Sequence, residues 1–171
     1  REGAVSLSVL ARKRVQYALG YLGLGLTRAS EAELNAVPEA ERSAPEVRSV
    51  WLDLAMAAHD WEKIISQGSD LAREHPSCEN AWIAWAYALR ELLHISEARE
   101  VLRIAEIHHG GTSAVLHYNL ACYDSLLGDL ESARARLETA CRMEPRFKAE
   151  SATDPDLARL RADDRERRSQ A

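Results

Sequence analysis

Side chains able to do chemistry are concentrated in a few places along the chain. His108, His109 and His117 fall within ten residues, His75 stands three positions before Cys78, and Asp53 and Asp124 each interrupt an apolar stretch. A zinc centre needs spaced Cys or His pairs held by a defined turn, together with a complete ligand set. Adjacent histidines leave a helix end in different directions and no second pair matches them. The expectation is solvent-exposed loop histidines and no metal site. Triads of Ser, His and Asp can be drawn from six histidines, but none of them sits in a recognisable nucleophile turn. Asp53 and Asp124 could be taken for a catalytic carboxylate pair, yet each is expected to face a groove or solvent. Gly20, Gly23 and Gly25 read G-x-x-G-x-G rather than G-x-G-x-x-G and follow no strand, so they do not make a nucleotide loop. Cys78, Cys122 and Cys141 form an odd set without CxxC, as expected of small apolar residues in a reduced, cytosolic protein. The chain is therefore expected not to be an enzyme and to need no cofactor.

The elements that carry these residues are helical. Of 171 residues, 46% are hydrophobic and 29% charged, with only eight glycines and five prolines, a balance that favours helix in a globular chain. No run of alternating β-branched residues is long enough for a strand. The net charge of −5 argues against nucleic acid or anionic lipid as main partner, since both require a basic footprint. No apolar run approaches the roughly 20 residues that cross a bilayer. The chain begins at Arg1 rather than methionine, as expected of a processed or trimmed product, so the absence of a leader is uninformative. The expected compartment is the cytoplasm, with the periplasm left open.

The best-formed stretch is His117–Pro145. Leu116, Leu120, Tyr123 and Leu127 share one helical face, and Leu130, Ala133, Leu137 and Ala140 share another. Between them Gly128 suits a left-handed helix end and Asp129 a cap, and Pro145 stops the pair. A shift of 35 residues lays Leu120 on Trp85, Ala121 on Ala86, Ala133 on Ala98, Leu137 on Leu102 and Ala140 on Ala105. A further 34 lays Trp85 on Trp51, Ala98 on Ile64 and Ala105 on Leu71, and another 34 reaches Tyr17, Ser30 and Val37 with reduced fidelity. This period and pattern resemble the tetratricopeptide repeat, a 34-residue helix–turn–helix. The resemblance runs over residues 14 to 145. It implies an all-α, right-handed superhelical stack of antiparallel helix pairs: an α-solenoid of about four units, the first degenerate, with a C-terminal capping helix.

In chain order, residues 4 to 26 read as one long helix with a basic turn at Arg12, Lys13 and Arg14. A second helix is cut short by Pro38. The units fall at about 11–44, 45–78, 79–113 and 114–147, followed by a cap at 148–161, all within one domain of residues 1–161. Gly68 stands where the other units carry leucine, and its missing side chain is expected to let Trp85 or Trp61 approach closely. Asp154 and Pro155 read as cap and first helical residue of the closing helix. Residues 162–171 read as a frayed polar tail.

The resemblance also implies a concave surface lined by the first helix of each unit. Carried over position by position, its binding residues are Gln16, Asp53, Asn80, Tyr87, Arg90, Tyr118, Asn119 and Cys122. Tyr87 and Tyr118 would be the anchors, while Asn80, Asn119 and Arg90 would fix a peptide backbone. Clamps for chaperone C-termini need basic or amide groups where this chain has Ser49, Asp53, Ile83 and Tyr87, so that ligand is not expected. The expected function is a protein–protein interaction module or scaffold that binds a peptide or helical segment of another protein. The alternative is a structural or assembly protein, a homodimer formed through an exposed terminal helix.

Overall fold

A computed structural model describes residues 6–170. Among these residues all regular structure is helical: α1 (Val9–Gly23), α2 (Thr27–Asn35), α3 (Pro45–Ala57), α4 (Trp61–Glu74), α5 (Glu79–Glu91), α6 (Ile95–His109), α7 (Ala114–Leu127), α8 (Leu130–Met143), α9 (Phe147–Glu150) and α10 (Ala158–Ser169). The chain divides into two compact units, Arg1–Ala88 and Leu89–Ala171, with the boundary inside α5.

In the first unit, α1 packs antiparallel to α2, α3 packs on both, and α4 returns along α3. Leu7, Ala11, Ala18, Leu34, Val37, Val47 and Val50 form its core, with Val15, Trp51 and Leu54 against them. The first helix is shorter than its apolar pattern implies. Ser8 Oγ accepts from the Ala11 amide and caps the helix, so it starts at Val9. Ala4 and Val5 lie outside the described residues. α2 ends at Asn35, as the proline predicts, and its orphan carbonyls are met from outside. Arg42 donates to Asn35 O at 2.7 Å and to Val37 O at 2.9 Å. Asp60 caps α4, accepting from the Lys63 amide. A Cβ at Gly68 would stand 3.4 Å from both Trp85 Cβ and Ala81 O, so this glycine does let Trp85 close in.

In the second unit, α7 is the central element, packed against α6, α8 and the C-terminal segment. Leu116, Leu120 and Tyr123 are buried on it. Gly128 adopts φ 87° and ends α7, and Asp129 accepts from the Ser132 amide to start α8, as expected from the sequence. After α9, Asp154 caps a single 3-10 turn, Pro155–Leu157, which leads into α10.

Two sequence expectations are overturned here. The polar tail is not frayed: α10 runs to Ser169. Arg134 holds it through Asp164 at 2.9 Å and Asp163 at 2.7 Å, and Arg167 pairs with Glu131. Nor are the histidines all exposed in loops. α6 continues through His108 and His109, His109 is buried, and the buried His117 ring meets Gly110 O at 2.7 Å. A helix carried one turn further and a turn closed by His117 explain both.

Candidate binding surface

Of the eight residues expected to line a binding face, four belong to the first unit. The Asn80 amide on α5 donates to Ser49 Oγ at 2.8 Å and to Asp53 Oδ1 at 3.0 Å on α3. These first helices of adjacent pairs are thus joined by a polar node. Burial pushes the Asp53 carboxyl above its usual range, and the Asn80 hydrogen bond partly offsets this. Tyr87, two turns along α5, keeps 39% of its surface exposed. Its ring lies 6.0 Å from Trp61, which in turn stacks on His59 at 5.1 Å. His59 takes φ 57° in the α3–α4 turn, a left-handed position that swings its ring over Trp61. Gln16 is exposed on α1. The unit therefore presents a hydrogen-bonding node beside a short aromatic row.

The other four lie in the second unit, and three of them are already engaged. Tyr118 donates to Asp154 Oδ2 at 2.8 Å, and its ring stacks on Phe147 with centroids 4.4 Å apart. Arg90 donates from Nε to Asp156 Oδ2 at 2.8 Å, with a second bond from Nη2 to the other oxygen. Cys122 Sγ lies 3.8 Å from Asp154 Oδ2. Asn119 is half-buried on the same helix. The chain's own segment Asp154–Leu157 thus lies against the α7 side chains expected to hold a partner. Leu157 and Leu160 pin it from below, and Arg161 donates to the carbonyls of Ser151 and Asp154, each at 2.7 Å. Sequence reading took Asp154 and Pro155 only as a cap. The missed signal was an Asp-Pro-Asp triplet in a chain whose first helices offer Arg90 and Tyr118 as matching donors.

This packing also decides the chemistry. Burial, followed by the nearby Asp154 and Asp156 carboxylates, pushes the Cys122 thiol up, away from the nucleophilic thiolate. Burial and the bond to Asp154 likewise push the Tyr118 hydroxyl up. The bond to Asp156 raises Arg90, which stays charged. Sγ of Cys122 and one oxygen each of Asp154 and Asp156 lie within 4.8 Å of one another. However, a guanidinium contacts one carboxylate and a phenol the other, so these groups serve an internal ion pair rather than a cation. Asp124, expected at a groove or in solvent, is buried. It meets Arg136 at 3.3 Å and Arg99 at 3.5 Å.

Among solved structures, a thermophilic tetratricopeptide-repeat protein of Thermus thermophilus superposes with a TM-score of 0.73. It is 18% identical in sequence, and the match covers 88% of this chain and 84% of that one. This is the tetratricopeptide fold. No protein-family model and no curated protein sequence matches the chain. At this identity the likeness establishes the solenoid of helix pairs and leaves the binding residues to be argued from the chain itself. No described helix is long and apolar enough to cross a membrane.

Proposed function

We propose that the chain is a protein-interaction module, and that its first unit holds a peptide or helical segment of another protein. The tetratricopeptide fold generally mediates contact between proteins. The observation that carries the more specific reading is the asymmetry between the two sets of expected binding residues. Arg90, Tyr118 and Cys122 already contact an acidic segment of the same chain. Asp53, Asn80 and Tyr87 form a half-buried polar node with an exposed aromatic beside it.

The chemistry of that node narrows the ligand. Asp53, Ser49 and Asn80 offer acceptors and donors suited to a peptide backbone or to a basic side chain. The row of His59, Trp61 and Tyr87 offers flat apolar faces to an aliphatic or aromatic residue.

The test is affinity capture from the source organism with the intact chain and with an Asp53→Ala/Tyr87→Ala double variant, quantified by mass spectrometry. Proteins held by the native chain should fall at least about tenfold with the variant, roughly 1.4 kcal/mol of lost binding, while helicity by circular dichroism stays the same. Equal capture by both chains would refute the assignment to the first unit.

A further inference from the structure

The proposed binding face holds a carboxylate that the chain leaves without a cation. Other sheltered carboxylates meet a guanidinium: Glu33 pairs with Arg14 at 2.7 Å, Glu106 with Arg136 at 2.8 Å, and Asp124 with both Arg136 and Arg99. Asp53 differs. It is half-buried on α3, and its partner among the described residues is the neutral Asn80 amide. Burial holds the carboxyl up, with one neutral hydrogen bond and no opposite charge to bring it down.

The hydrogen-bond count at the node says what is missing. A carboxylate can only accept, so the Asn80 nitrogen is the atom that faces it. The two hydrogens on that nitrogen are spent on Ser49 and on Asp53 Oδ1. Among the described residues nothing donates to Asp53 Oδ2 or to Asn80 Oδ1. Both residues are half-buried, so these two acceptors are sheltered yet within reach of solvent. A backbone amide brings one N–H and no charge, which leaves the carboxylate unmatched. An ammonium or guanidinium brings several donors and the charge together. Glu46, two turns before Asp53 on the same side of α3, is exposed and adds to the negative potential. Beside the node a cavity of about 280 Å³, edged by Glu46, Ser49 and His75, has room for a side chain.

The aromatic row sets a second contact. Tyr87 lies seven residues beyond Asn80 on α5, about 10 Å along the axis at 1.5 Å per residue. An extended chain rises about 3.3 Å per residue, so three residues cover that interval. We propose that the segment recognised by the first unit is basic and extended. A lysine or arginine sits on Asp53 and Asn80, and an aliphatic or aromatic residue three positions away lies against Tyr87 and Trp61. The proposal rests on the reading of this face as a peptide site and says which peptide it takes. An acidic or wholly apolar segment would shelter Asp53 further without pairing it, at a cost in free energy.

The experiment is selection from a random dodecapeptide library displayed on phage, panned in parallel on the intact chain, on Asp53→Asn and on Tyr87→Ala. Asparagine keeps an acceptor for Asn80 and removes only the charge. Peptides held by the intact chain should be enriched in lysine or arginine with an apolar residue three positions away. Asp53→Asn should lose the basic preference and keep the apolar one, and Tyr87→Ala should do the reverse. Replacing the basic residue of the best peptide by norleucine should then raise its dissociation constant on the intact chain at least about tenfold. On Asp53→Asn the same replacement should matter by no more than about twofold. A basic preference that survives Asp53→Asn overturns the proposal, since that variant changes a net charge of −5 by only one and general attraction would persist. So does a set of binders that need Tyr87 but carry no basic residue, which would leave the peptide site standing. Absence of any enriched peptide, or binding indifferent to both variants, overturns the peptide site itself and this proposal with it.

Discussion

Helices α5 and α7 carry the same kind of polar and aromatic side chains, but those side chains end in different surroundings. In the first unit, Asn80 ties α5 to α3 through Ser49 and Asp53, and Tyr87 stays at the surface. In the second, the corresponding row on α7 is roofed by Phe147, Asp154 and the turn ending in Leu157. The difference shows that motif position does not decide whether a side chain stays at the surface. In both units the polar groups are met within the chain, by Ser49 and Asp53 in one and by Asp154 and Asp156 in the other, and what differs is how much of the neighbouring tyrosine stays exposed. Arg90 and Tyr118 carry donors that buried surroundings must match, and an Asp-Pro-Asp segment within reach supplied the acceptors.

That contrast can be broken most severely at the roof. Leu157→Ala removes a fully buried side chain and should cost about 2–5 kcal/mol, read as a lowered urea midpoint with loss of the roof over Tyr118. A variant with unchanged midpoint would mean the segment is only loosely laid on α7. Next comes the ion pair. A double-mutant cycle on Arg90→Ala and Asp156→Asn should give a coupling of about 1.5–3 kcal/mol, the range for hydrogen bonds to charged groups. A coupling near zero would show that the segment is held without the Arg90–Asp156 pair, by Leu157, Leu160 and the bonds of Tyr118 and Arg161.

In the first unit the equivalent tight contact is backbone to side chain. Gly68→Leu drives a branched side chain into Trp85 and Ala81 O and should cost about 1–3 kcal/mol by overpacking, measured by thermal denaturation. Acid should act on the second unit. The Arg136 hydrogen bond holds the Glu106 carboxyl below its ordinary value of 4.5. Its contribution is therefore fully present above that value and fades as pH falls through the depressed folded value. Asp124 works the other way, since burial raises its pKa and protonation relieves the cost. The difference in melting temperature between the native chain and Glu106→Gln should accordingly shrink as pH drops from 6 to 3. The smallest stability effect belongs to the open face. Tyr87→Ala should change stability by no more than about 0.5 kcal/mol while weakening partner capture, whereas Tyr118→Ala should destabilise the unit outright.

Local signals in the chain were read accurately where they concern neighbours in sequence. Gly128 with Asp129 predicted the α7–α8 turn, Asp60 predicted the start of α4, Pro38 predicted the early end of α2, and Gly68 predicted the approach of Trp85. The misreadings concern polar groups whose partners are distant. Asp124 meets Arg99 and Arg136, His117 meets Gly110 O, and α10 is held to α8 by Arg134. None of these pairings leaves a trace in hydrophobic periodicity, because charged residues score alike whether they face solvent or a partner.

The amino-acid sequence by itself determined the helix pairs, their period and the residues that pack between them. Those depend on the repeat of apolar side chains at helical spacing and on a few capping and breaking residues, all local properties. Only the tertiary structure decided which of the remaining side chains are covered by other parts of the chain and which stay exposed. Tyr118 is covered by a segment that begins 36 residues further along the chain and whose carboxylates meet Tyr118 and Arg90, whereas Tyr87 keeps 39% of its surface exposed. Availability is a competition among partners within reach, and reach is a property of the folded chain.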